Sequence, residues 1–148
     1  MLIVALDPGG TTGVATYESA NQTWERLQLE RDHHEQLYDL LVDWEPDVIV
    51  CERFLYQRRE INKGVSLRLD SVEYIGVTRL YCKEHNVELV MQTASQAKGL
   101  WTDIKLKKVG LWIPGKVHAM DATRHLLYYI TVAMHDSTYV MKLKPSAE

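Results

Sequence analysis

Two short apolar runs in this chain each end on an acid: Leu2-Ile3-Val4-Ala5-Leu6 runs into Asp7, and Val48-Ile49-Val50-Cys51 runs into Glu52. Runs of this length read as buried strands. A carboxylate at the end of a buried strand costs free energy unless it meets a cation or a hydrogen-bond donor. Two such ends side by side repel, and a hard divalent cation with oxygen ligands removes the conflict. Between the runs, Leu37, Leu40, Leu41 and Trp44 stand at helical spacing, which predicts a helix over Asp32–Trp44 with Asp32 as its cap. A helix between two buried strands implies a crossover and a parallel pairing.

The remaining pattern completes an α/β layer. Pro8–Gly13 reads as a turn. Val14–Tyr17 and Thr23–Leu29 read as further strands, so the first three strands form an antiparallel meander. Leu55–Gly64 is polar and basic and reads as a loop. Ser66–His85 reads as a long helix with two apolar stripes: Val65, Leu69, Val72, Gly76 and Leu80 on one side, Leu67, Tyr74, Val77 and Tyr81 on the other. A surface helix needs one such stripe. The second fits either a partner chain or a helix wedged into its own chain's core. Val87–Met91 is a fifth strand, Ser95–Lys108 a short helix with a basic connection, and Val117–Met134 the last helix. The order βββαβαβα is that of a mixed sheet, a three-strand antiparallel meander plus parallel strands, flanked by helices.

A chain of 148 residues supports one hydrophobic core. The pattern places the domain at residues 1–136, with a weakly structured tail over 137–148. No apolar stretch is long enough to span a membrane, and the first run meets Asp7 too early for a signal peptide. The expectation is a cytoplasmic protein with Cys51 and Cys82 as reduced core thiols. The net charge of −3 argues against a nucleic-acid partner until its distribution is considered. Residues 18–47 hold nine acids and two bases, residues 53–68 five bases and one acid, and residues 98–124 six bases and two acids. Two basic segments brought to one face would make an electrostatic footprint for phosphate. Kept apart, they are two solvated stretches.

Asp121 is the third acid of note. It lies in the last helix with His118 three residues earlier, so both occupy one helix face. Two cations about 4 Å apart between such carboxylates would clamp the attacking and leaving oxygens of a phosphoryl displacement. Each residue alone has a plainer role. Asp7 can cap the Asp-Pro-Gly turn, and Glu52 can pair with Arg53 or Arg58. Asp121 can pair with Arg124 at i+3 or His125 at i+4, and a single His118 fits a structural role. The four together, in this order and on these elements, favour a metal site.

The same residues carry a family resemblance that spans the chain to about residue 134. Leu2–Ala15 (LIVALDPGGTTGVA), Asp47–Phe54 (DVIVCERF), Gly76 in the long helix and Val117–Leu127 (VHAMDATRHLL) resemble the RuvC family of Holliday-junction resolvases, small nucleases of the RNase H-like fold. The chain is similar in its variations to phage-borne relatives of that family. The resemblance implies a Mg²⁺- or Mn²⁺-dependent endonuclease that hydrolyses DNA phosphodiesters at Holliday junctions or other branched DNA, with two ions per site. It implies that Asp7 bridges the ions, that Glu52 and Asp121 hold one each, and that His118 is a ligand or orients the attacking water. Lys98 and Lys105, with Lys107 on the same basic segment, would contact phosphates, as would Arg58, Arg59 and Lys63 of the basic loop. Phe54 and Tyr56 would stack on an unpaired base at a branch point, with core packing as the plainer role for Phe54. A two-fold junction matches a two-fold homodimer, for which helix 66–85 is the candidate interface.

Other readings stay open beside this one. Asp7–Gly13 also resembles the phosphate-binding turn of sugar kinases and actin-like ATPases, which need a second domain for which this length leaves no room. An RNase H or a flap nuclease would share the site residues, because a fold does not determine its substrate. A non-catalytic DNA-binding module on the same fold would have no need of all four site residues.

Overall fold

The computed structural model describes residues 1–55 and 69–135. Its strands are β1 (Leu2–Asp7), β2 (Thr11–Glu18), β3 (Thr23–Glu30), β4 (Val48–Glu52) and β5 (Glu88–Gln92). Its helices are α1 (His34–Trp44), α2 (Asp70–His85), α3 (Ala94–Leu100), α4 (Asp103–Lys108) and α5 (Val117–Tyr128). The strands form one sheet in the order β3-β2-β1-β4-β5. The β1–β2 and β2–β3 pairs are antiparallel, and the β1–β4 and β4–β5 pairs are parallel. This is the mixed sheet that the apolar pattern predicts.

Alternation along the strands divides the core in two. Ile3, Ala5, Val48 and Val50 face α5, with Met120, Leu126, Leu127 and Trp101 packed on them. Val4, Leu6, Ile49 and Cys51 face the other way, onto Leu37 and Leu41 of α1 and Tyr74, Tyr81 and Cys82 of α2. Cys51 and Cys82 are both buried free thiols, and burial raises both above the usual thiol range. No helix among the described residues is long and apolar enough to cross a membrane.

Several local expectations are corrected. The turn expected at Pro8–Gly13 shrinks to Pro8–Gly10, because Thr11, Thr12 and Gly13 pair with Glu30, Leu29 and Gln28 of β3. His33 rather than Asp32 caps α1, and it makes no side-chain cap bond. Its ring is drawn into the core instead, with Nε2 at 2.6 Å from Thr12 Oγ1 and the ring stacked on Tyr74 at 3.7 Å. Residues 95–108 form two helices, each opened by a threonine: Thr93 makes a reciprocal capping box with Gln96, and Thr102 accepts from the Lys105 N–H. The last helix is α-helical to Tyr128 and continues as a π-helical turn, Tyr129–Ala133.

The two stripes expected on the long helix separate cleanly in α2. Tyr74, Val77 and Tyr81 turn inward to the α1 side of the core. Leu69, Val72 and Leu80 are 38%, 43% and 53% exposed, and nothing lies within 4 Å of a side chain built at Gly76 between them. The loop Leu55–Gly64 beyond its first residue, the start of the helix expected at Ser66 (with Val65 and Leu67 beside it) and the tail at 137–148 lie outside the described residues.

Candidate active site

Strand alternation decides which way the acids point. Ile3 and Ala5 face α5, so Asp7, two further on, does too; Val48 and Val50 place Glu52 the same way. Leu6 pairs with Cys51 in the parallel β1–β4 ladder, which sets Asp7 and Glu52 side by side, and Glu52 pairs with Gln92 of β5. Three polar side chains therefore stand in a row at the carboxyl ends of three parallel strands, the edge where open α/β sheets place their ligands.

Helix α5 crosses that row. It is buried from Ala119 through Leu127, and His118, Asp121 and His125 share one face at i, i+3 and i+7. Two residues on the meander bring it close. A side chain at Gly13 would lie 1.8 Å from the His118 carbonyl oxygen, so only glycine lets the helix start rest on β2. Gln28 Oε1 accepts from the backbone N–H groups of His118 at 3.1 Å and Ala119 at 3.2 Å. It substitutes for the side-chain cap that Lys116 does not supply.

The four expected site residues do converge. His118 Nδ1 lies 3.2 Å from Asp7 Oδ2, and Asp7 stands beside Glu52 at the paired strand ends. Asp121 accepts from Arg124 Nη1 at 2.7 Å on one oxygen and meets Lys98 Nζ at 3.3 Å on the other. Glu52 Oε2 accepts from His125 Nε2 at 2.7 Å. Burial, followed by the charges of Glu52 and Asp121, pushes Asp7 up from 3.8 to about 8. Burial also acts to raise Glu52, but the hydrogen bond and charge of His125, with Lys98 behind them, hold it below the usual carboxylate range. Burial acts to lower Lys98, and Asp121 and Glu52 outweigh it and raise the ammonium. One ionisable cluster thus holds a protonated Asp7 beside an ionised Glu52.

A cleft of about 400 Å³ opens over the cluster, with Asp7, Glu52, Asp121, His118 and Lys98 on its walls and Phe54 at its rim. No three His, Cys, Asp or Glu side chains among the described residues form a ready-made cation cage. His125, Arg124 and Lys98 already engage carboxylate oxygens there. The donor set nonetheless suits a hard cation. Each carboxylate oxygen keeps a lone pair beyond its protein contact, and Asp7 is raised first by burial and then by the charges of Glu52 and Asp121, both of which a bound cation would offset.

Of the expected DNA contacts, Lys98 and half-buried Phe54 line the cleft. Lys107 lies over the Trp112 ring at 5.0 Å and borders an adjoining groove with Lys98, Ile104 and Arg124. Lys105 is exposed and donates to the Leu100 carbonyl at 2.8 Å. Tyr56, Arg58, Arg59 and Lys63 lie outside the described residues. The pairing of Asp121 with Arg124 is the plain i+3 contact, and it coexists with the cluster. Arg124 also donates to the Trp101 carbonyl at 2.7 Å and pairs with Asp103, so it ties α5 to α3 and α4.

Glu52 does not use the Arg53 contact weighed from sequence; its partner is His125, which in turn does not pair with Asp121. Gln28, Gln92 and His125 were not singled out for the site from sequence. Gln92 had a legible signal, because it closes the third parallel strand as Asp7 and Glu52 close theirs.

A mixed sheet in this strand order, flanked by helices, has the architecture of the RNase H-like fold. No protein-family model matches the chain, and no curated protein matches its sequence. Solved structures do match. RuvC of Thermus thermophilus in complex with a Holliday junction substrate superposes with a TM-score of 0.70 at 15% identity, covering 93% of this chain and 97% of that one. A second Thermus thermophilus RuvC structure gives 0.66 at 15% identity over 91% and 96%. The Holliday junction resolvase of fowlpox virus gives 0.51 at 14% identity over 90% and 99%. Both proteins are matched over nearly their full lengths, and at these identities the likeness is one of fold.

Proposed function

We propose that this chain is a metal-dependent endonuclease that hydrolyses DNA phosphodiesters at Holliday junctions or related branched DNA. The observation that carries the reading is the convergence of Asp7, Glu52 and Asp121 at the strand ends, with Asp7 pushed to about 8 by burial and then by the charges of its neighbours. Such a cluster is costly for folding and suited to chemistry. The matched structures, RuvC with a Holliday junction substrate and a viral Holliday junction resolvase, support the choice of substrate.

In this reading Asp7, Glu52, Asp121 and His118 hold Mg²⁺ or Mn²⁺. Bound there, the ions supply charge to the scissile phosphate and lower the pKa of the attacking water. The chain's own residues do the rest. His118, half-exposed at the cleft mouth and 3.2 Å from Asp7, is placed to orient the nucleophile or to complete the ligand set. Lys98 holds positive charge against the cluster and meets the phosphate beside the scissile bond. Phe54 at the rim stacks on a base unpaired at the branch point.

A four-way junction has two-fold symmetry, and paired cuts need two sites. The outward stripe of α2, Leu69, Val72 and Leu80 around Gly76, is the surface through which a second copy docks. The function is tested by cleavage of a labelled four-way junction beside a flap and a linear duplex, with Mg²⁺, Mn²⁺ or EDTA. Paired, metal-dependent cuts confined to the junction support it. Cuts in every branched form make it a debranching nuclease, and no cleavage of any DNA rejects it.

A further inference from the structure

We infer that His125 and Gln92 form a positioning pair that fixes the carboxylate of Glu52, committing Oε2 to the protein so that the other oxygen serves the cation. The inference rests on the reading of Glu52 as a metal ligand. His125 is fully buried, one helical turn below Asp121 on the face of α5 that covers the strand ends. Its Nε2 lies 2.7 Å from Glu52 Oε2, and its Nδ1 lies 2.9 Å from Gln92 Oε1. Gln92 is 3% exposed, stands beside Glu52 in the β4–β5 register, and has a side-chain Nε2 with no hydrogen-bond partner.

The chemistry of these contacts determines the direction of one bond. Both ring nitrogens face oxygens. An ionised Glu52 has no proton to give, so the Nε2–H donates to it, whichever group of the Gln92 amide faces Nδ1. The contact does not depend on how the Gln92 amide is assigned. A buried ring held at both nitrogens has one orientation, and it passes that orientation to the carboxylate. Groups that orient ligands in this way typically change metal affinity by about 10- to 100-fold when removed. His125 is fully buried beneath the cluster, so its part is positioning.

The test compares wild type with His125→Leu, which keeps volume and removes the donor, and with His125→Gln, whose amide reaches toward the Nε2 position. Mn²⁺ binding is read by electron paramagnetic resonance without DNA. The Mg²⁺ half-saturation of junction cleavage, junction affinity in EDTA and thermal unfolding are measured beside it. His125→Leu is expected to weaken Mn²⁺ binding and raise the Mg²⁺ half-saturation by about 10-fold or more. Junction affinity in EDTA should stay unchanged, and His125→Gln should recover most of the loss.

Gln92→Met provides a second route if His125→Leu does not fold; it releases the far side of the ring and should weaken Mn²⁺ binding several-fold. Folded variants that bind Mn²⁺ as wild type does overturn the positioning role while leaving the nuclease reading intact. A wild type that neither binds Mn²⁺ nor cleaves DNA overturns the nuclease reading itself, and this inference with it.

Discussion

Gln28 on β3 caps a helix from far along the chain: its Oε1 accepts from the N–H groups of His118, ninety residues later, and Ala119. One neutral amide thereby satisfies two orphan donors and sets where His118 stands. Gln28→Ala should lose about 1 kcal/mol of stability, the usual cost of a lost cap, and should lower junction cleavage at limiting Mg²⁺. Urea unfolding and a Mg²⁺ titration check this. Stability and titration both equal to wild type would show that water serves the helix start as well.

Gly13 makes the companion contact from β2. A Cβ there meets the His118 carbonyl at 1.8 Å, and that atom is backbone in a buried helix. Gly13→Ala should cost about 3 kcal/mol or more, the upper range for overpacking, since neither element can shift without disturbing the core. A loss below about 1 kcal/mol by denaturant titration would mean that α5 slides freely on the sheet.

The raised Asp7 makes the metal-free protein sensitive to pH. The folded state keeps a proton on this carboxyl up to about 8, whereas the unfolded chain releases it near 3.8. Between those values the folded state binds more protons, so stability falls as pH rises and the full cost is present above about pH 8. In EDTA, Tm should drop across this window, and Asp7→Asn should flatten the drop while abolishing cleavage and sparing DNA binding. An unchanged slope in the variant, or full cleavage activity, would remove Asp7 from the centre of the cluster.

Lys98 is half-exposed beside the acids, where the proposed function would bring a phosphate. Lys98→Met should lower the slope of log affinity against log salt by about 1, as expected for one lost phosphate contact. The slope is measured in EDTA to separate it from metal binding. An identical slope would confine Lys98 to charge balance within the cluster.

The exposed side of α2 predicts self-association. Val72→Glu or Leu80→Lys should convert a dimer to a monomer by light scattering while leaving the monomer folded, because both residues are solvent-facing in the isolated chain. Val77→Glu should instead destabilise the fold, because Val77 packs against the inner cluster. A monomeric wild type would end the interface proposal.

Much of the fold was legible because its causes are local. The runs Leu2–Leu6 and Val48–Cys51 follow strand length and apolarity, and Leu37, Leu40, Leu41 and Trp44 follow helical period. The proximity of Asp7 and Glu52 was legible because a carboxylate closing a buried strand is a conflict visible in one dimension, and His118 and Asp121 were marked by their shared helix face. The cap at Asp32 misread a competition: Asp favours a cap locally, but His33 gains a buried hydrogen bond with Thr12 and a stack on Tyr74 from across the fold.

The sequence by itself determined the sheet, the inward direction of both strand-end acids and the helix face shared by His118 and Asp121. Each follows from a repeat of two or 3.6 residues along one segment. Only the tertiary structure decided what those acids touch. Glu52 meets His125 across 73 positions, and Gln28 meets His118 across 90. Neither pairing has a period or a spacing to betray it. Hydrogen bonds act over about 3 Å of space, and which residues come that close depends on how α5 settles across the sheet, a matter of packing at Gly13 and throughout the core rather than of any local preference.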